Sequence, residues 1–268
     1  MITLEQVSMK YPDGFRALKQ TRLRFAKGSF TVLIGPSGAG KSTLLRCINF
    51  LNQPSSGTVT VDGLGTLNGN KNLLRCHRRQ TAMIFQQHQL IERFSALDNV
   101  LIGRIGHYST LRTLFPLPRR DRLLALESLE RVGLLEKAME RADRLSGGQQ
   151  QRVGIARGLT QEPAILLADE PVASLDPVAS DKVLSLLHGI CKEDGLTAII
   201  SLHQVEMAKA YADRIIGLAN GEVVFDGPPQ ELTPGALATI YNKPHEHAVK
   251  DTSQGVSWPV PQPIFDIS

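Results

Sequence analysis

Cysteine is scarce, with three in 268 residues. Cys47, Cys76 and Cys191 are odd in number and show no metal-like spacing, which argues against a disulfide framework or a cysteine zinc site and fits reduced thiols with packing roles. Long apolar runs are also lacking. The stretch Ala164 to Ala168 stops at Asp169, far short of the roughly 20 residues that span a membrane. The start, Met1-Ile2-Thr3-Leu4-Glu5, has neither the basic nor the apolar region of a signal peptide. No single sign of charge dominates: 30 Lys and Arg face 26 Asp and Glu, for a net +4. The positive residues are scattered among acids, so they describe a solvated mixed surface rather than a nucleic-acid patch. If the protein works at a membrane, another chain holds it there. The length is large for one core and points to one big domain or two lobes.

What is present starts with Leu33-Ile34-Gly35-Pro36-Ser37-Gly38-Ala39-Gly40-Lys41-Ser42-Thr43. Gly35, Gly40, Lys41 and Ser42 fit Gly-x4-Gly-Lys-Ser/Thr, the phosphate-cradling P-loop. Thr31 to Ile34 reads as a buried parallel strand, and Leu44, Leu45, Ile48 and Leu51 recur at helical spacing. Strand, glycine-rich turn and helix start make an anion site, because backbone N–H groups converge and the helix dipole adds positive charge. Lys41 is placed to reach the β- and γ-phosphates of a nucleotide, and Ser42 to ligate Mg²⁺.

Other segments organise around that loop. Thr21 to Phe25 alternates as a half-buried strand, and Thr58 to Val61 is a second. Gly65 to Leu73 reads as a surface loop, Ala82 to Phe85 as a short strand. Arg119 to Met139 is helical, with Glu127 and Arg131 spaced for an i,i+4 ion pair and Gly133 a candidate break. Gly103 to Pro118 has no clean period and reads as a long loop with exposed aromatics. Ile165 to Ala168 and Thr197 to Ser201 are apolar strands, Val183 to Ile190 is helical, and Asn220-Gly221 marks a hairpin between Ile215–Leu218 and Glu222–Phe225. The Pro- and Gln-rich end, Trp258 to Pro263, suggests loose packing.

Two further stretches carry chemistry. An apolar strand ending in Asp169-Glu170 delivers acids beside a P-loop in a parallel sheet; Asp169 suits Mg²⁺ and Glu170 the attacking water. Ser146-Gly147-Gly148-Gln149 opens another helix, a second start able to bind anions. If both starts serve one nucleotide, either the helical lobe folds onto the core or the turn closes on a nucleotide held by a second copy.

Leu145-Ser146-Gly147-Gly148-Gln149 after a P-loop and before an acidic strand resembles the ATP-binding cassette (ABC) ATPases, over residues 1 to about 230. The resemblance implies an α/β P-loop NTPase (RecA-like) core with an N-terminal antiparallel β-subdomain and an inserted α-helical subdomain near 88–160, then an extension over 231–268. It implies that Tyr11 stacks on adenine, that Gln86 touches Mg²⁺ and the water and senses the membrane partner, that Asp176 lies in the loop crossing a dimer interface, and that His203 contacts the γ-phosphate. ATP would lie between the P-loop of one copy, Gly35 through Thr43, and Ser146 to Gln149 of the other. A single cassette without fused spans resembles bacterial importers, whose integral-membrane permeases and periplasmic or lipid-anchored solute-binding protein are separate chains, with the cassette on the cytoplasmic face. Gly103-Arg104-Ile105-Gly106, Ser109, Arg112, Phe115, Arg141-Ala142-Asp143 and Ser201-Leu202-His203-Gln204-Val205 are similar to phosphonate- and phosphite-type importers. A polar amino acid, methionine or phosphate importer is the alternative. A nucleic-acid-acting ABC ATPase or a P-loop kinase lacks supporting motifs: there is no second cassette or coiled coil, and no nucleic-acid partner is expected.

Overall fold

The computed structural model describes residues 1–86, 89–109, 111–112 and 115–242. Two sheets share the core. Strands β1 (Ile2–Lys10), β2 (Arg16–Phe25), β4 (Ser56–Val61) and β5 (Gly65–Thr66) form an antiparallel sheet ordered β2-β1-β4-β5. The larger sheet joins β3 (Phe30–Ile34), β6 (Thr81–Ile84), β7 (Ile165–Asp169), β8 (Thr197–Ser201), β9 (Arg214–Ala219) and β10 (Glu222–Gly227). Its order is β10-β9-β3-β8-β7-β6, parallel apart from the antiparallel pair β9–β10.

The central strands β3, β7 and β8 are buried along their whole length because both faces are covered. Phe30, Val32 and Ile34 of β3, Leu166 and Ala168 of β7, and Ala198 and Ile200 of β8 enter one core. The intervening Leu33, Ile165, Leu167 and Ile199 enter the other, with Leu44, Leu45, Cys47 and Ile48 of helix α1 (Lys41–Ile48). Between β6 and β7 run α3 (Ala96–Leu101), α4 (Arg119–Arg131) and α5 (Gly147–Leu159), after α2 (Lys71–Arg79) has led into β6. The first core takes in Leu97, Val100, Ala125, Leu129, Val153 and Ile155 from these three helices together with sheet residues. The remaining helices are α6 (Pro177–Glu193), α7 (Val205–Tyr211) and α8 (Pro234–Tyr241).

Several expectations need correcting. Leu51 lies beyond α1 and is exposed. Gly65 to Leu73 is not wholly loop: β5 occupies its start, and α2 begins at Lys71 because the Asn70 side chain accepts the N–H groups of Asn72 and Leu73 at 3.0 and 3.1 Å. The helix expected from Arg119 to Met139 ends at Arg131. Gly133, at φ +68°, returns its N–H to Glu130 while Leu134 N–H reaches Leu129, both at 2.8 Å, the paired bonds of a Schellman end that satisfy the last carbonyls. Arg131 does not pair with Glu127. It spans instead to Asp194 at the end of α6, with Nη1 and Nη2 at 2.6 and 3.0 Å from the two carboxylate oxygens, a bidentate, charge-assisted pair.

Within the stretch from Gly103 to Pro118, residues Ile102–His107 form a 3-10 helix. Arg104 is buried and donates to Asp121, the Thr160 carbonyl and Glu162 at 3.1, 3.0 and 2.9 Å, so the segment is anchored to α4 and to the loop after α5. The end of the chain is packed as far as α8, where Ile240 is fully buried; Trp258 to Pro263 lie outside the described residues, as does His88 at the expected edge of the helical lobe.

All three cysteines are free, Cys47 and Cys191 buried and Cys76 exposed. Burial pushes the Cys47 and Cys191 thiols up to about 12, where almost no thiolate forms near neutrality. Iodoacetamide at pH 8 is expected to label Cys76 alone in the native protein and all three after denaturation; native labelling of Cys47 or Cys191, read by mass spectrometry, contradicts this packing.

Candidate active site

The parallel sheet brings the chemistry to one edge. The neighbours β3, β8, β7 and β6 all finish on the same side, and the residues just past their ends are Gly35, His203, Glu170 and Gln86. Ligands of open parallel sheets bind at this carboxyl edge. A cleft of about 610 Å³ opens there, lined among others by Tyr11, Ser37 to Thr43, Gln86, Glu170 and His203. Phe15 and Ala17, not singled out in the sequence, line it too.

Two of the P-loop glycines are steric necessities. Gly35 (φ +147°) passes so close to the Leu218 carbonyl that a Cβ would stand 2.2 Å from its oxygen, and at Gly40 (φ +104°) a Cβ would stand 2.6 Å from the Ala17 oxygen. The hairpin turn backs the loop, since Gly221 N–H donates to the Ala39 carbonyl at 3.0 Å. Lys41 is 4% exposed, and its Nζ donates to the Gly35 and Pro36 carbonyls at 2.8 and 3.1 Å. Burial lowers its pKa, opposed by the charges of Glu170 and Asp169.

Strand parity puts the Asp169 carboxyl on the same side as Ile165 and Leu167, facing α1. Its Oδ1 accepts from Ser42 Oγ at 2.8 Å and from Ser201 Oγ at 2.9 Å. Arg46, one turn past Ser42, approaches Oδ2 at 3.9 Å. Glu170 takes a left-handed backbone, φ +52°, a conformation costing roughly 1–2 kcal/mol for an L-residue. Its N–H is received by Ser201 Oγ at 2.9 Å, and its Oε1 lies 2.6 Å from His203 Nε2. Tyr11 borders the cleft with its hydroxyl fixed by Asn52 Nδ2 at 2.9 Å and Thr43 Oγ1 at 3.5 Å.

Ser146 to Gln149 and Asp176 are not in this cleft. They line a separate one of about 890 Å³ with Arg152, Ser174 and Leu175, and the two clefts have no lining residue in common. Ser146 and Gln149 form a capping box at the start of α5, Ser146 N–H donating to Gln149 Oε1 at 2.9 Å. Asp176 caps α6, accepting from the N–H groups of Val178 and Ala179 at 3.0 Å, so its side chain is committed to its own helix. The sequence reading therefore holds two half-sites, which a single chain keeps in separate clefts.

Four groups escaped it. Ser201 is read as motif only, because its place opposite Asp169 is set by the register of β7 against β8. Arg46 lies at i+4 from Ser42, a helical spacing that put it on the same face. Asn52 and Phe15 carried no signal.

Fold and site define a P-loop nucleotide-binding ATPase with a second, signature-bearing face. The comparisons name the class more closely. The ABC transporter family matches residues 18–173. A phosphite import ATP-binding protein, PxtA of Stutzerimonas stutzeri, is 57% identical over 99% of this chain and 94% of its own. The phosphonates import ATP-binding protein PhnC 3 of Nostoc sp. (strain PCC 7120) is 58% identical over 90% and 92%. Among solved structures, a dimeric post-hydrolysis state of the ATP-binding cassette MJ0796 bound to ADP and Pi aligns at 36% identity and TM-score 0.75, covering 85% of this chain and 99% of that one. This chain belongs to the ABC transporter family, as one of its ATP-binding subunits.

The glycine geometry is testable. Gly40→Ala meets both a positive φ and a carbonyl, and is expected to lower stability by about 2–4 kcal/mol. Gly38→Ala has the positive φ (+77°) but open space within 4 Å, and is expected to cost about 1 kcal/mol. Urea midpoints of equal size for the two variants would contradict the close approach to Ala17.

Proposed function

We propose that the chain is the ATP-hydrolysing subunit of an importer for phosphonate- or phosphite-type anions, working as a head-to-tail pair of identical chains on the cytoplasmic side of the cell membrane. Its permease subunits, and a periplasmic or lipid-anchored solute-binding protein, are separate chains. The observation that carries this reading is the division of labour between the clefts: each holds one phosphate-type helix start, and the two share no lining residue within a chain. A nucleotide clamped by both starts therefore calls for two copies. The dimeric cassette among the structural relatives and the phosphite and phosphonate relatives support the pairing and the solute class. Residues 1–230 act as the nucleotide-binding unit, with 88–160 as its helical lobe and 231–268 as an extension.

In this reading Tyr11 stacks on the base and the N–H groups of Gly35 to Thr43 hold the phosphates. Lys41, now occupied by the Gly35 and Pro36 carbonyls, turns to the β- and γ-phosphates. Glu170 orients the water and takes its proton, and His203, 2.6 Å from Glu170, adds a donor at the γ-phosphate. Ser146 to Gln149 of the second copy complete the clamp, with Asp176 at the seam. Gln86 links the site to the permease. The donors Ser42, Asp169 and Gln86 are hydroxyl, carboxylate and amide oxygens, hard ligands that fit Mg²⁺. Among the described residues no three His, Cys, Asp or Glu side chains gather for a metal, which fits an ion completed by phosphate oxygens. Bound there, Mg²⁺ would offset charge developing on the phosphates.

Glu170→Gln is expected to keep ATP binding and accumulate a dimer on size-exclusion chromatography while turnover falls at least ~10²-fold; parental turnover sinks the assignment of the base. Ser146→Arg is expected to bind ATP yet stay monomeric, whereas an ordinary ATP-dependent dimer would reject the shared site. The solute class is read by screening the cognate binding protein against phosphonates, phosphite, phosphate, methionine and polar amino acids.

A further inference from the structure

Ser201 has no part in the reading above, yet it touches both acids on which that reading depends. It ends β8 directly opposite Asp169 at the end of β7, and it is completely buried. A serine hydroxyl has one proton to give and lone pairs to receive. Here the proton goes to Asp169 Oδ1 at 2.9 Å, and a lone pair receives the Glu170 N–H, also at 2.9 Å. We propose that Ser201 is a positioning residue for ATP hydrolysis, fixing the metal-holding carboxylate and the backbone of the water-orienting glutamate with a single hydroxyl. The inference rests on the roles proposed for Asp169 and Glu170.

Three features favour a functional role over a simple packing one. Ser42 also donates to Asp169 Oδ1, but Ser42 sits in the phosphate loop and is claimed by the metal when the site is loaded. Ser201 lies in a strand with no competing ligand, so its grip on Asp169 survives loading. Next, the left-handed turn at Glu170 takes its N–H out of the strand ladder, and the Ser201 hydroxyl receives that donor. An unmet buried N–H there would relax by letting the backbone, and with it the carboxylate, swing. Last, the contacts close a ring. Ser201 is two residues from His203, His203 Nε2 meets Glu170 Oε1, and Glu170 N–H returns to Ser201. The same strand end is tied to the phosphate-loop strand, since Leu202 N–H donates to the Leu33 carbonyl at 3.0 Å. A shift of Ser201 would move acid, histidine and loop together.

The test compares Ser201→Ala and Ser201→Cys with the parent in full-length protein. The cysteine variant keeps the site filled but donates weakly, so it separates loss of the hydrogen bond from an unfilled site. Both variants are expected to lower kcat about tenfold or more, the size expected for a lost hydrogen bond to a charged group, with KM for ATP within about threefold. Binding of Mn²⁺ with ADP, followed by electron paramagnetic resonance without turnover, is expected to weaken by about threefold or more. Parental kcat and Mn²⁺ affinity in either variant overturn the proposal. So does a lowered Tm whose folded fraction retains parental kcat and Mn²⁺ affinity, the mark of packing alone. Glu170→Gln is run alongside: if it hydrolyses ATP normally, the underlying site reading fails, whereas an inactive Glu170→Gln beside a parental Ser201→Ala rejects only the role of Ser201.

Discussion

The structure depends on one constraint, the parallel alignment of β3, β8, β7 and β6 with both faces of their sheet buried. Parallel strands share a direction, so whatever follows each strand gathers at a single edge. The apolar pairs Val32–Ile200 and Leu167–Ile199, in ladder register, hold that edge to within a hydrogen bond. From this alone come the meetings of Ser42 with Asp169, Ser201 with Glu170 and Glu170 with His203. A slip of one residue in β7 would turn Asp169 to the opposite face and present Ala168 to the loop.

The polar groups at this edge are satisfied by one another. Lys41 rests on carbonyls, Asp169 on two hydroxyls, and the Glu170 N–H on one of those same hydroxyls. Such networks matter because an unmet buried donor is costly, so each group fixes its neighbour's position. On the other face the capping box of Ser146 with Gln149 and the Asp176 cap serve a similar end. There they stiffen a helix start and leave its N–H face open to a cleft.

Much of this could be read from the sequence, for physical reasons that also mark where reading stopped. The P-loop, the acidic strand end and the signature turn are local: a few consecutive residues specify both the backbone and its chemistry. Thr197 to Ser201 was bounded as found, because a run with both faces buried has abrupt polar ends. Non-local pairing was out of reach. Arg131 has an acid four residues before it and another 63 residues later, and only the fold decides that Asp194 receives it. Arg104 looked like part of an irregular loop, because a buried guanidinium is recognisable only once Asp121 and Glu162 stand around it. The Asn52 grip on Tyr11 likewise joins residues whose spacing says nothing.

The hold of the phosphate loop on its own lysine has a consequence for what can enter. With Gly35 and Pro36 as placeholders, two of the ammonium's three N–H groups are already engaged, so an incoming anion meets the third directly and draws off the other two by displacing carbonyls. A chain of phosphates engages the loop's N–H groups along its length while it recruits the ammonium, and recovers in many contacts what it displaces in two. The resting loop thereby keeps its lysine oriented at the glycine turn, so that entry of a phosphate chain exchanges internal partners for external ones rather than ordering a free side chain.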